Sequence, residues 1–391
     1  MLTAAEAAQR LGISPATLYA YVSRGLIRSF PDPEHPRARL YAEEDIDRRT
    51  PGKAALHWGG PVLESAITLI TGDNVYYRGH EVADLARTKS IEEVAALIWT
   101  GSMTPAAFTF TPLHVVAGRS SEGLPFINRA VSILPIVAAR DPLAYDLRPH
   151  AVAQTGWRIL NLLTSVATES SDLAPSIDES LQKRWAPRTR AARDLIRAAL
   201  ILCADHELNV SAFTARCVAS AGSNPYAVVA AGLSALAGNK HGGMTARIER
   251  MLDELRGARD IRGALAERLR RGERIYGFGH RLYPNGDPRA RALMDMLGKH
   301  APKLISDVAS AGEEVLGEKP TIDFALVAMS MGLKLAPGTP LALFALGRTI
   351  GWIGHAIEQY AREEIIRPRA RYVGPSPGAA RHPLPEGEGT R

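Results

Sequence analysis

Apolar positions recur along most of this chain at the three- and four-residue spacing of helices, and period-two alternation is nearly absent. That pattern predicts an all-α body. Ser90-Ile91-Glu92-Glu93 has the spacing of a capping box, in which the serine hydroxyl and the glutamate carboxylate each satisfy a free N–H group. Val94, Leu97 and Ile98 then share one face, and Gly101 suits the left-handed stop. Leu195 to Cys203, Ala227 to Leu236, Ile261 to Leu269 and Leu341 to Tyr360 are further runs of helix formers. The longest apolar run, Ala227 to Gly238, falls short of the roughly 18 residues a membrane helix needs.

The first fifty residues read as a separate small unit. Thr3-Ala4-Ala5-Glu6 is a second capping box, Gly12 ends the helix, and Ser14-Pro15 starts another that runs through Leu18, Tyr21 and Val22 to Gly25. Two short helices about a glycine turn make a helix-turn-helix. A Pro-rich turn at Pro31–Pro36, then Arg39-Leu40-Tyr41 and Glu43-Glu44-Asp45-Ile46, predict a β-wing and a third helix. Residues 50–61, with Pro and Gly at both ends, read as a linker, and the Pro/Gly-rich residues 376–391 as a disordered tail. This division gives a module at 1–49 and a body at 62–375.

Composition narrows the class. With 46% hydrophobic and 23% charged residues the chain is globular, neither disordered nor fibrous. The formal charge of +6, from 47 Lys+Arg against 41 Asp+Glu, permits anionic partners without requiring them. Cys203 and Cys217 fit neither a redox pair nor a zinc site and read as buried thiols. The N-terminus lacks the basic and apolar regions of a signal peptide, so a cytoplasmic protein without a membrane segment is expected.

Four segments concentrate polar chemistry within apolar surroundings: Ala204-Asp205-His206-Glu207-Leu208-Asn209; Gly238-Asn239-Lys240-His241-Gly242-Gly243; Gly277-Phe278-Gly279-His280 running to Asp287-Pro288-Arg289; and Pro320-Thr321-Ile322-Asp323-Phe324. Glycines beside a histidine let a ligand approach the backbone closely. An Asp enclosed by Ile322 and Phe324 has a raised pKa if buried, as a general base near neutral pH requires. Asp205-His206-Glu207 does not make a metal site, because adjacent helical residues face apart and no H-x-x-x-H partner follows. The single G-x-G supports neither a P-loop nor a dinucleotide fold.

The joint order of these segments resembles the citrate synthase family, from about Glu64 to Pro375. Glu64-Ser65-Ala66-Ile67-Thr68 and Tyr77-Arg78-Gly79-His80 look like its start, and Ile365-Ile366-Arg367-Pro368-Arg369-Ala370 with Tyr372-Val373-Gly374-Pro375 like its end. The resemblance implies large and small helical domains, the small one at roughly 205–330. It implies metal-free condensation of acetyl-CoA, as co-substrate, with oxaloacetate to give citrate, a step of the tricarboxylic acid cycle, with no permanently bound cofactor. Asp323 then matches the base acting on the acetyl methyl group, His241 the donor to the enolate, and His280 the group polarising the ketone. His206 and Asn209 match substrate ligands, Arg289 and Arg348 the carboxylate clamps, and Arg367 an arginine supplied by the other subunit of a homodimer. Arg274, Ile275, Tyr276, Gly277, Phe278 and Gly279 match the loop that meets the CoA adenine. Lys240 before His241, Ala325 after Phe324, and Thr245-Ala246 mark a divergent branch. If Lys240 pointed into the site it would depress the histidine pKa.

Residues 1–49 resemble the winged helix-turn-helix of MerR-type and excisionase proteins through Ala7-Ala8-x-x-Leu11-Gly12-Ile13-Ser14-x-x-Thr17-Leu18-x-x-Tyr21, Gly25-Leu26-Ile27 and Arg39-Leu40-Tyr41. That resemblance implies DNA contact by Thr17, Tyr19, Tyr21, Arg24 and Arg39. Against it, residues 1–53 carry eight Lys/Arg and seven Asp/Glu, without the basic excess usual in a DNA reader. Two further readings stay open: a 2-methylcitrate synthase using propionyl-CoA, and a metabolite-sensing DNA-binding regulator built on the synthase fold.

Overall fold

The computed structural model describes residues 1–11, 15–23, 27–32, 35, 38–47, 63–105, 123–368 and 373. The linker at 50–61, the tail at 376–391, and Gly12, Ser14, Arg24, Gly25, Arg369 and Gly374-Pro375 lie outside the described residues.

In the N-terminal arm, α1 (Ala4–Leu11) begins with the expected capping box: the Glu6 carboxylate accepts from Thr3 N at 2.8 Å and Thr3 Oγ1 accepts from Glu6 N at 3.3 Å. Helix α2 (Pro15–Ser23) follows, then an antiparallel wing of β1 (Ser29–Pro31) and β2 (Arg39–Tyr41), then α3 (Glu43–Asp47). Leu2 and Tyr41 exchange both backbone hydrogen bonds, which ties the N-terminus to the wing. Ala7, Ala8, Leu18, Ile27, Tyr41 and Ile46 form the arm's own small core.

The body opens with an antiparallel meander that the hydrophobic pattern does not predict: β3 (Thr68–Ile70), β4 (Val75–Tyr77) and β5 (His80–Glu81). Strands of two or three residues are too short to display alternation. Arg78 and Gly79 both take positive φ, 46° and 88°, so the β4–β5 link is the two-residue left-handed turn that matches strand twist. The rest of the body is helical among the described residues, as expected: α4 (Val82–Thr88), α5 (Ile91–Thr100), α6 (Phe126–Ala138), α7 (Pro149–Thr168), α8 (Ile177–Trp185), α9 (Ala192–Leu202), α10 (Val210–Ser220), α11 (Pro225–Leu236), α12 (Gly243–Leu255), α13 (Ile261–Arg270), α14 (Pro288–Leu297), α15 (Lys303–Leu316), α16 (Ile322–Gly332) and α17 (Thr339–Tyr360). The Ser90–Glu93 capping box starts α5, and Gly101 ends it with φ 80°.

Helix α17 is the axis of the body, packed against α5, α7, α9, α10 and α11. Its glycines allow backbone-to-backbone crossing with the end of α9. A Cβ on Gly347 would meet Leu200 O at 2.5 Å, and one on Gly351 would collide with Ala204 O and Asp205 Oδ1. Gly351 N instead donates to Ala204 O at 2.9 Å. A second group pairs α13 with α15, and α12 and α14 with α16. Cys203 is buried in the core, whereas Cys217 is only half-buried, so the expectation of two buried thiols holds for Cys203 alone.

Candidate active site

The four polar segments converge. His206 lies on the loop between α9 and α10, His280 on the loop between α13 and α14, His241 just before α12, and Asp323 in the first turn of α16. The rings of His206 and His280 meet edge-on with centroids 5.3 Å apart. Arg348, from the middle of α17, lies over Phe344 at 4.7 Å, and Phe344 touches the His241 ring at 5.9 Å.

Local structure explains each placement. Gly277 and Gly279 have φ of 88° and 74°, and Thr321 N and Gly279 N bond to Gly277 O and Lys319 O at 2.8 and 3.0 Å. This stitching brings the His280 loop beside the start of α16, with Phe278 and Phe324 in ring contact at 5.3 Å. Asp287 caps α14, receives Ile322 N at 3.0 Å, and takes Nε and Nη2 of Arg289 at 3.0 and 2.8 Å. One carboxylate thus joins α14, α16 and the Arg289 guanidinium.

Burial governs the protonation of the site. It lifts the Asp323 carboxyl to about 6, with Asp287 adding to the rise and Arg289 opposing it. Burial, then Arg289, lowers His280 to about 4; burial, then Arg348, lowers His241 to about 4. His206 is held well below its ordinary value by burial and by Arg289 and Arg348. At neutral pH this is an ionised base among three neutral imidazoles. His280 Nδ1 accepts from Leu282 N at 3.2 Å, so its neutral ring carries the proton on Nε2. Lys240 is exposed and does not contribute to the lowering of His241.

Arg348 is fully buried and donates Nε to Cys203 O at 2.9 Å, yet Nη1 and Nη2 have no hydrogen-bond partner among the described residues. Two parallel buried donors of this kind match a carboxylate. Arg289 differs, since two of its donors are already bound to Asp287. Asn209 caps α10, its Oδ1 accepting from Ala212 N at 3.0 Å. Ser211 ties that cap to the site, with its hydroxyl 2.9 Å from both Asn209 Oδ1 and His241 Nε2. Arg274 is exposed and Ile275 half-buried; Arg247 lies over the Tyr276 ring at 5.5 Å. Arg367 is exposed, on a segment held by Gln359 Nε2 to Glu364 O and Ile366 N to Ser220 Oγ.

Sequence reasoning gave no role to the groups behind the site. Asp205 is fully buried, and its carboxylate receives Thr68 Oγ1 at 2.5 Å and Glu207 N at 3.2 Å, with His355 Nε2 at 3.1 Å. The Tyr77 hydroxyl lies 3.0 Å from both Asp205 N and Asp205 O. Asp205, Ser211, Tyr283 and Asp287 all touch predicted residues or their loops, and each has at least one partner 30 or more residues away: Thr68 and His355 for Asp205, His241 for Ser211, His206 for Tyr283 and Ile322 for Asp287. In the arm, Tyr19 and Arg39 are exposed, Thr17 is half-buried, Tyr21 packs against the arm's core, and Arg24 lies outside the described residues.

A sequence profile described as citrate synthase, C-terminal domain, matches residues 56–111 and 149–369, and one described as helix-turn-helix domain matches residues 1–49. Citrate synthase of Haloferax volcanii is 31% identical, covering 80% of this chain and 93% of its own. A 2-methylcitrate synthase of Shewanella oneidensis is 30% identical over 79% of this chain and 91% of its own. The crystal structure of citrate synthase from Thermotoga maritima aligns with TM-score 0.65 and 25% identity, covering 81% of this chain and 94% of that one. The Thermoplasma acidophilum enzyme, solved as a ternary complex with carboxymethyl coenzyme A and oxaloacetate, shares the fold with TM-score 0.69 at 24% identity over 81% and 94% of the two chains. With the helical architecture and the convergent site, these matches establish that the chain belongs to the citrate synthase family and carries a helix-turn-helix domain at its N-terminus.

Proposed function

We propose that this chain condenses acetyl-CoA with oxaloacetate and water to give citrate and CoA. The observation that carries the reading is one ionisable carboxyl near 6, beside neutral histidines and a buried arginine with two donors unpartnered among the described residues. Asp323 takes a proton from the acetyl methyl group as a hydrogen bond from His241 stabilises the enolate oxygen. Donors of this kind contribute roughly 2.7–4 kcal/mol in oxyanion holes. The enolate carbon attacks the ketone carbon of oxaloacetate, and His280 Nε2–H donates to the oxygen as it becomes an alkoxide. Water then hydrolyses the citryl thioester and releases CoA. His206 and Arg348 hold the 2-oxo acid, Arg348 gripping a carboxylate through both Nη atoms and Arg289 assisting through what Asp287 leaves free. Asn209 adds a polar contact beside His206. The loop from Arg274 through Ile275, Tyr276, Gly277 and Phe278 to Gly279 binds the CoA adenine.

A thiol-release assay tests this, with acetyl-CoA and propionyl-CoA each offered with oxaloacetate. Oxaloacetate-dependent release with the higher kcat/KM for acetyl-CoA is expected. A preference for propionyl-CoA would move the assignment to 2-methylcitrate formation, and no release with either would refute it.

The working unit is a cytoplasmic homodimer in which Arg367 completes the partner's site; its exposure on an anchored segment supports this. Mixing inactive Arg367→Ala and Asp323→Ala subunits should restore part of the activity, and a null mixture would refute the shared site. A second reading adds DNA contact by the arm, favoured by the helix-turn-helix match and the exposed Tyr19 and Arg39. Within the arm Arg10 pairs with Glu43 and Arg28 with Asp45, which limits its basic face. Fluorescence anisotropy with upstream DNA across salt decides; sequence-blind or absent binding at physiological salt sinks both this contact and the regulator reading.

A further inference from the structure

Tyr283 stands at the centre of the site and has no role in the reaction outlined above. Its side chain is buried, and its hydroxyl lies 2.6 Å from His206 Nε2. Its ring is 4.8 Å from that of His280, and the guanidinium of Arg289 sits 5.5 Å from its centroid. Three substrate-facing groups, brought in from the α9–α10 loop, the α13–α14 loop and the start of α14, therefore share this one side chain.

The hydroxyl settles a question the fold otherwise leaves open. A buried phenolic proton needs an acceptor. Among the described residues the Tyr283 oxygen has one hydrogen-bond neighbour, His206 Nε2. A hydroxyl that donates to that nitrogen places the proton of a neutral imidazole on Nδ1. Protonation of the ring is opposed by its burial and by the two arginines beside it. His280 is held in the opposite sense, since its Nδ1 accepts from Leu282 N. Two histidines in ring contact thus present Nδ1–H and Nε2–H respectively, and each offers a donor rather than a lone pair to an electron-rich ligand.

We propose that Tyr283 is a positioning residue, whose hydroxyl locks His206 in the Nδ1–H tautomer and whose ring seats Arg289, so that the 2-oxo acid meets donors. The proposal rests on the assignment of His206 and Arg289 to the 2-oxo acid. It predicts that Tyr283→Phe, which keeps the ring and removes only the hydroxyl, raises the KM for oxaloacetate about tenfold, the size of one lost hydrogen bond. The KM for acetyl-CoA should change less than about twofold, and kcat should fall. A merely structural role would move both KM values together or neither.

The experiment pairs these kinetics with NMR of protein labelled with 15N-histidine, the His206 signals being assigned with His206→Gln. The expected result is a protonated Nδ1 in the unmodified protein and loss of that preference in Tyr283→Phe. A His206 ring protonated on Nε2 or mixed in the unmodified protein, or an unchanged oxaloacetate KM in the variant, overturns the proposal. If Tyr283→Phe does not fold, the tautomer of the unmodified protein still decides. If that protein releases no CoA with oxaloacetate, the enzymatic reading fails, while the tautomer measurement still tests Tyr283.

Discussion

Asp323 provides the sharpest test of the chemistry, because burial sets both the activity and a stability cost. Its carboxyl is raised from 3.8 to about 6. As a base it works only when ionised, so kcat/KM should rise with pH through about 6 and level off above. At pH 5 about a tenth of the groups are ionised, so the rate should lie about tenfold below its plateau. The histidines add no second limb in this range, since His280 and His241 titrate near 4. The assay is CoA release with both substrates well below saturation, which reports the free enzyme. The same shift predicts the stability effect. A carboxyl raised in the folded state favours folding while protonated, and that advantage is lost as pH climbs from 3.8 to about 6. At neutral pH the ionised group therefore costs about 3 kcal/mol relative to an unshifted one. Asp323→Asn should abolish turnover yet gain up to about that much stability at pH 7.5, with the gain vanishing toward pH 4. Denaturant midpoints at the two pH values measure it. A flat rate profile from pH 7 to 5, or an Asp323→Asn variant no more stable at pH 7.5 than the parent, would refute the account of Asp323 as a buried base.

Three other perturbations probe the parts around it. Arg348→Gln removes the planar fork whose two Nη donors are unpartnered among the described residues, so the KM for oxaloacetate should rise by roughly tenfold to a hundredfold with little change in that for acetyl-CoA. Gly351→Ala forces a methyl group into Ala204 O and Asp205 Oδ1 where α17 crosses the His206 loop; stability should fall by roughly 1–3 kcal/mol, read as a lower Tm. Thr68→Val takes a donor from the buried Asp205 carboxylate at a cost of about 1–3 kcal/mol. Against the opposing effect of burial, His355 and Thr68 hold that carboxyl below 3.8, so this contribution is present at neutral pH and the Thr68→Val deficit should shrink as pH falls below about 4. A deficit that grew in acid would contradict the assignment.

The capping boxes at Thr3–Glu6 and Ser90–Glu93, the left-handed stop at Gly101 and the long apolar helix ending at Tyr360 are all legible along the chain, because each rests on contacts three or four residues apart. The order of the four polar segments is likewise a property of sequence, and it names His206, His241, His280, Asp323 and the arginines. Which of them carry which proton is decided in space. The partner of His206 is Tyr283, 77 residues on; the partner of Asp205 is His355, 150 residues on; and Arg289 and Ile322 are joined by Asp287 only because two loops are stitched together at Gly277 and Thr321. Burial is collective, so the rise of Asp323 and the fall of three histidines cannot be read from any window of residues. Sequence alone determined the helical class and the chemical groups. The tertiary structure decided their protonation, their tautomers and which donors of Arg348 lack a partner among the described residues, because those depend on what packs against each group once the chain has closed.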